Sequence, residues 1–132
     1  MKNPILLIED NAELRIELQE SLVRRGFDIR ACESIACAQE KLIEIDPSVV
    51  LSDICLPDGD GARFYMEHKP AYPHAHWLLM SGNQSLVRAK KQEEAGVRDV
   101  AIVDKPVGLR FLIGFIERAL RDEPQNQNEN QS

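Results

Sequence analysis

What most constrains this sequence is a unit that recurs along it: a short apolar run that stops abruptly on a polar side chain and is followed by helical spacing. Ile5 to Ile8 is the first such run, and it breaks off at Glu9-Asp10-Asn11. A strand so uniformly apolar has to be covered on both faces. Between Ala12 and Arg25, Leu14, Leu18 and Leu22 recur at helical spacing with Ile16 alongside, and Gly26 stands where a helix-ending glycine belongs. Phe27 to Ala31 reads as a second strand. Ser34 is a candidate N-cap for a helix through Ile45 that puts Ala38, Leu42 and Ile45 on one face and that Pro47 stops. Val49 to Leu51 forms a third strand running into Ser52-Asp53, and Pro57-Asp58-Gly59-Asp60-Gly61 predicts a loop. A less regular helix over Ala62 to Lys69, punctuated by Pro70 to Pro73, leads to a fourth strand, Trp77 to Met80, ending in Ser81-Gly82-Asn83. A polar helix over Gln84 to Ala95, closed by Gly96, precedes a fifth strand, Val100 to Val103, which ends in Asp104-Lys105-Pro106. Leu109 to Arg121 is a strongly apolar final helix.

Five strands alternating with five helices imply right-handed crossovers and a parallel sheet covered on both faces, the doubly wound α/β class. A chain of 132 residues has room for one such domain, expected over residues 1–122, with residues 123–132 a polar disordered tail or a cut linker. The apolar runs fall far short of the roughly 20 residues of a membrane span, and no signal-peptide core precedes Glu9, so a cytoplasmic location is expected. Cys32, Cys37 and Cys55 are odd in number and lack CxxC spacing, which predicts reduced thiols and no structural zinc. A net charge of −6 argues against direct contact with nucleic acid.

In doubly wound sheets, ligands bind beyond the carboxyl ends of the strands where the winding reverses. Here those ends carry Glu9 and Asp10, Asp53, Ser81 and Lys105. Taken singly, an Asp or Ser at a strand end is usually a loop or capping residue and a Lys is usually solvated. Their convergence on one edge is the informative feature. Three carboxylates held together repel one another unless a cation neutralises them. An all-oxygen donor set suits Mg²⁺, whereas zinc would call for His or Cys. Phosphoryl transfer needs a nucleophile, a cation and donors to the phosphoryl oxygens. Asp53, Mg²⁺, Ser81 and Lys105 would supply them. Asp53 is preferred as nucleophile because it stands alone at a central strand end, while Glu9 and Asp10 are adjacent and better used as a cation-binding pair.

With these residues in place, the chain resembles the receiver domain of bacterial two-component response regulators. The pattern is an acidic pair after strand one, an acceptor Asp with Pro four and Gly eight residues on, a Ser or Thr after strand four, and Lys-Pro after strand five. This sequence matches with Glu9-Asp10, Asp53 with Pro57 and Gly61, Ser81, and Lys105-Pro106. The resemblance implies a flavodoxin-like sheet of order 2-1-3-4-5. It implies that Asp10, Asp53 and the backbone carbonyl of Cys55 bind Mg²⁺ directly, with Glu9 acting through water. Ser81 and Lys105 would hold the phosphoryl oxygens, the Lys105-Pro106 bond would be cis, and a histidine kinase or phosphotransfer protein would be the donor.

The sequence departs from that pattern at Ile102, where receivers usually carry an aromatic residue that rotates with the switch. A β-branched side chain, stiff at χ1, cannot reproduce such a swing. Gly82 replaces the commoner Ala, and Cys55 and Asn83 occupy variable positions beside the site. In the final helix, Leu109, Leu112, Ile113, Ile116 and Leu120 form a core stripe, while Phe111 and Phe115 lie on another flank. That flank could make a homodimer or output contact, or pack beneath a neighbouring helix. His68, His74 and His76 are expected to be solvated loop histidines, and Cys55 a small buried residue. Two alternatives remain: a receiver-like binding module that works without phosphorylation, which Ile102 favours, and a phosphatase with an aspartyl nucleophile. The latter needs a second Asp where Cys55 stands.

Overall fold

The computed structural model describes residues 3–82 and 100–122. Five strands, β1 (Pro4–Ile8), β2 (Asp28–Cys32), β3 (Val49–Asp53), β6 (His76–Ser81) and β7 (Ala101–Asp104), pair in parallel in the order β2-β1-β3-β6-β7. Counted among themselves they give the expected order 2-1-3-4-5. A separate antiparallel hairpin, β4 (Cys55–Leu56) and β5 (Gly59–Asp60), stands where the sequence predicts only a loop. Two-residue strands are too short to show any alternation, so the turn formers were the visible signal.

The helices among the described residues are α1 (Ala12–Arg24), α2 (Ile35–Ile45), α3 (Gly61–His68) with a 3₁₀ turn at Lys69–Ala71, and α4 (Leu109–Asp122). The expected helix over Gln84 to Ala95 and the tail lie outside the described residues. Local chemistry sets the boundaries. Asn11 and Ser34 cap α1 and α2 by accepting from Leu14 N and Cys37 N, and Gly26 takes φ +95° just past α1, a conformation that favours glycine. The second strand begins one residue later than predicted, because Phe27 still belongs to the turn and donates its N–H to Leu22 O.

The pleat sorts the strand residues onto two cores. Leu6, Ile8, Val50 and Leu79 face Ala38 and Leu42 of α2 and Phe64 and Tyr65 of α3. Ile5, Leu7, Val49, Leu51, Leu78 and Met80 face Leu18 and Leu22 of α1 and Leu112, Ile113 and Ile116 of α4. With both faces covered, β3 is buried throughout, from the apolar Val49–Leu51 run to the polar Ser52 and Asp53 at its end. The winding reverses between β1 and β3, which leaves their carboxyl ends side by side.

Candidate functional site

Register fixes the site. Ile8 pairs with Ser52, so Glu9 and Asp53 emerge next to each other, and Asp53 pairs with Met80 one residue before Ser81. Beyond the last bridged residues, Lys105 N donates to Ser81 O at 2.7 Å and Ile54 N to Met80 O at 2.8 Å, which carries Lys105 to the same edge. The Lys105–Pro106 bond is cis. The structure thus brings together all the strand-end residues singled out in the sequence.

Glu9, Asp53 and Ser81 are buried, and Asp10 is exposed. Carboxylate oxygens of Glu9, Asp10 and Asp53 all lie within 4.8 Å of one another. Lys105 Nζ stands 3.0 Å from Glu9 Oε1 and 2.8 Å from Asp53 Oδ1. These are ion-pair distances, and Lys105 is thus shared between two buried carboxylates, whereas Ser81 Oγ is buried without a partner. An orphaned buried hydroxyl is costly in a structure that has no use for it. Glu9 is the better secured carboxylate, since its Oε2 accepts from Asn11 N at 3.1 Å while Arg15 Nη1 donates to its backbone carbonyl at 2.9 Å.

The electrostatics follow from this crowding. Burial and the neighbouring Glu9 carboxylate push the Asp53 carboxyl up to about 8, against the pull of Lys105. Burial acts to raise Glu9 too, but its contacts with Asp53, the Asn11 amide and Lys105 outweigh that and hold it below the usual carboxylate value. For Lys105 burial opposes the charge, and the two carboxylates more than compensate, raising its pKa. With all three carboxylates ionised, the single ammonium would leave two formal negative charges unbalanced, a repulsion that a bound cation would relieve. An all-oxygen cluster with that deficit fits a hard divalent cation.

Three further residues shape the site. Gly61 is needed because a Cβ there would run into the backbone carbonyl oxygen of Asp53, which gives a steric reason for a glycine eight residues after Asp53. Ser52 Oγ donates to the same carbonyl at 2.9 Å. Asp58, read in the sequence only as a turn residue, accepts from Ile35 N at 2.9 Å and Ala36 N at 3.0 Å. No local signal could have shown this, because the partners lie 23 and 22 residues away.

Other expectations need correction. Cys55 is exposed in β4, not buried, because the hairpin projects it off the core. His76 lies in β6, His68 packs on the Phe64 ring at a centroid distance of 4.3 Å, and His74 Nε2 lies 3.1 Å from Asp46 Oδ1. His68, in α3, and His76, in β6, are therefore not loop residues, whereas His74 is exposed in the turn before β6, as expected. Leu109 is exposed, off the core stripe, as is Phe111, whereas Phe115 packs against the α1/α4 core. Ile102 packs against the α2/α3 core. Asn83 lies outside the described residues.

A doubly wound sheet of order 2-1-3-4-5, with an acidic cluster and a lysine beyond its carboxyl edge, defines a flavodoxin-like α/β domain with a cation-competent polar site. The chain belongs to the response regulator receiver domain family, whose family model matches residues 5–117. It is 34% identical over 123 residues to the chemotaxis protein CheY of Bacillus subtilis, covering 91% of this chain and 99% of that protein. It is 32% identical over 118 residues to the DNA-binding transcriptional regulator NtrC of Rhizobium meliloti, covering 89% of this chain but only 24% of that protein. The chain therefore spans about a quarter of the length of that relative. A response regulator receiver protein from Sinorhizobium medicae has a similar structure, with TM-score 0.78 and 28% identity, covering 91% of this chain and 95% of the other. No helix among the described residues is long and apolar enough to cross a membrane.

Proposed function

We propose that Asp53 accepts a phosphoryl group from a phosphohistidine on a histidine kinase or phosphotransfer protein and that this changes the affinity of the domain for a partner. The observation that carries the reading is the buried Asp53 held against Glu9, Asp10 and Lys105, a cluster in which three carboxylates share one lysine. Asp10, Asp53 and the Cys55 carbonyl would hold Mg²⁺, with Glu9 acting through water. When bound, the ion supplies positive charge that neutralises the carboxylates and the phosphoryl oxygens. A carboxylate oxygen of Asp53 attacks phosphorus as the phosphorus–nitrogen bond of the donor breaks, and the electron pair leaves with the imidazole. The Lys105 ammonium and the Ser81 hydroxyl donate to the phosphoryl oxygens, which gives the orphaned Ser81 Oγ a partner. Glu9 is the residue that keeps the pocket acidic, anchored as it is by the Asn11 amide.

The domain acts here as a signalling switch over residues 1–122, in the cytoplasm, with residues 123–132 a tail or linker. Phe111, 49% exposed on α4, is the apolar group best placed for a homodimer or output contact, and the acidic domain makes no nucleic-acid contact of its own.

Incubation with Mg²⁺ and acetyl phosphate should add one phosphoryl group by intact mass, and Asp53→Asn should abolish it. Beryllofluoride binding should show the same dependence on Asp53. An Asp53-independent adduct, or none, would favour the phosphorylation-independent module, for which the Ile102 packing is the structural argument. Turnover of phosphomonoesters would instead favour the phosphatase, against which Cys55 stands.

A further inference from the structure

The β4–β5 hairpin is fastened at both ends. At its base Gly61 N donates to Ile54 O at 2.6 Å, and the missing Gly61 Cβ lets the chain lie against the Asp53 carbonyl. At its tip the Asp58 carboxylate forks onto the start of α2, with Oδ1 accepting from Ile35 N and Oδ2 from Ala36 N. Beside it, a Cβ on Gly59 would stand 2.7 Å from Ile35 Cδ1, so the tip and the helix are in close contact.

α2 does not need Asp58 for its cap. Ser34 Oγ already accepts from Cys37 N at 3.2 Å. Asp58 takes two of the remaining orphan amides of the first turn, and these bonds hold its carboxyl below the usual value. A capping residue within α2 could satisfy those amides equally well. Only a residue of the hairpin can also fix the hairpin. Between the two fastenings lies Cys55, the first residue of β4 and the second after Asp53.

We infer that Asp58 is a positioning residue for the cation site: clamped to the α2 N-terminus, it sets the Cys55 backbone carbonyl beside the Asp53 carboxylate. This rests on the proposed role of the Cys55 carbonyl as a ligand. By linkage, an ion that requires the clamped hairpin must in turn strengthen the clamp, so the first turn of α2 senses occupancy at Asp53. The route involves neither Ile102 nor β7.

The test compares Asp58→Ala and Asp58→Asn with Ser34→Ala, which weakens the same helix end without touching the hairpin. Mg²⁺ affinity is measured by calorimetric titration, stability by urea denaturation, and amide hydrogen exchange at Ile35 and Ala36 with and without Mg²⁺. Loss of a group that orients a ligand costs about tenfold or more in metal affinity. Asp58→Ala should therefore bind Mg²⁺ about tenfold more weakly, Asp58→Asn should fall between it and the parent, and Ser34→Ala should lose stability with unchanged affinity. Mg²⁺ should slow exchange at Ile35 and Ala36 in the parent and not in Asp58→Ala. Equal Mg²⁺ affinity in Asp58→Ala and the parent overturns the positioning role while leaving the cation site standing. A parent protein that binds no Mg²⁺ overturns the cation site itself, and the positioning role with it.

Discussion

β3 and β7 deliver the oppositely charged groups that meet at the site, and they are built differently. β3 is buried along its whole length, paired with β1 on one side and β6 on the other, and its exit is fastened through Gly61 and Asp58. β7 pairs only with β6 among the described residues, its side chains are half-buried, and Asp104 is exposed. Asp53 is thus held by packing, whereas the Lys105 ammonium is held by its charge contacts with Glu9 and Asp53. The asymmetry leaves one partner of the charge pair fixed by the core and the other free to respond to a change in charge at the site.

The largest expected effect tests the packing half of the contrast. Leu51→Ala empties a fully buried position in β3 and should cost about 3 kcal/mol in urea denaturation, while Val103→Ala in β7 should cost about 1. Equal losses would mean that the two strands are equally fixed.

The next tests the charge half. Asp53 is raised from an ordinary 3.8 to about 8, so its contribution to stability is fullest below pH 3.8 and is lost as pH rises towards 8. In the presence of a chelator, Asp53→Asn should therefore be more stable than the parent by roughly 2 kcal/mol at pH 8.5, and much less so at pH 5. A pH-independent difference would show that Lys105 fully compensates the carboxylates.

The smallest effect concerns α4, whose Ile116 is buried while Phe111 is half exposed. Phe111→Ala should change stability by less than about 0.5 kcal/mol, and any loss of self-association in sedimentation should appear without that destabilisation. A larger loss of stability in the monomer would place Phe111 in the core.

The same contrast explains what could be read from the sequence. β1, β3 and β6 were visible because strands covered on both faces must be apolar throughout, and the polar residue ending each run marked the site. The polar constellation was legible because each member stands at or just beyond the carboxyl end of a strand. The hairpin was not, since its fastening depends on backbone amides of α2 far away in the chain. Cys55 was misplaced for a related reason: a small apolar residue two positions beyond a buried Asp looks like core, and only the hairpin turns it outward. The partner of His74 was hidden because Asp46 lies 28 residues away, while the His68–Phe64 contact is a local i, i+4 pair that helical spacing could have shown.

Trp77 is the single tryptophan of the chain, buried in β6 with its indole N–H unpartnered and the Phe64 and Tyr65 rings edge-on at 5.9 and 5.2 Å. Both rings belong to α3, the helix that the hairpin enters through Gly61. The molecule therefore carries a built-in optical probe: selective excitation of one indole reports on how α3 sits against the sheet, without a label and from the side of the fold on which the hairpin is clamped.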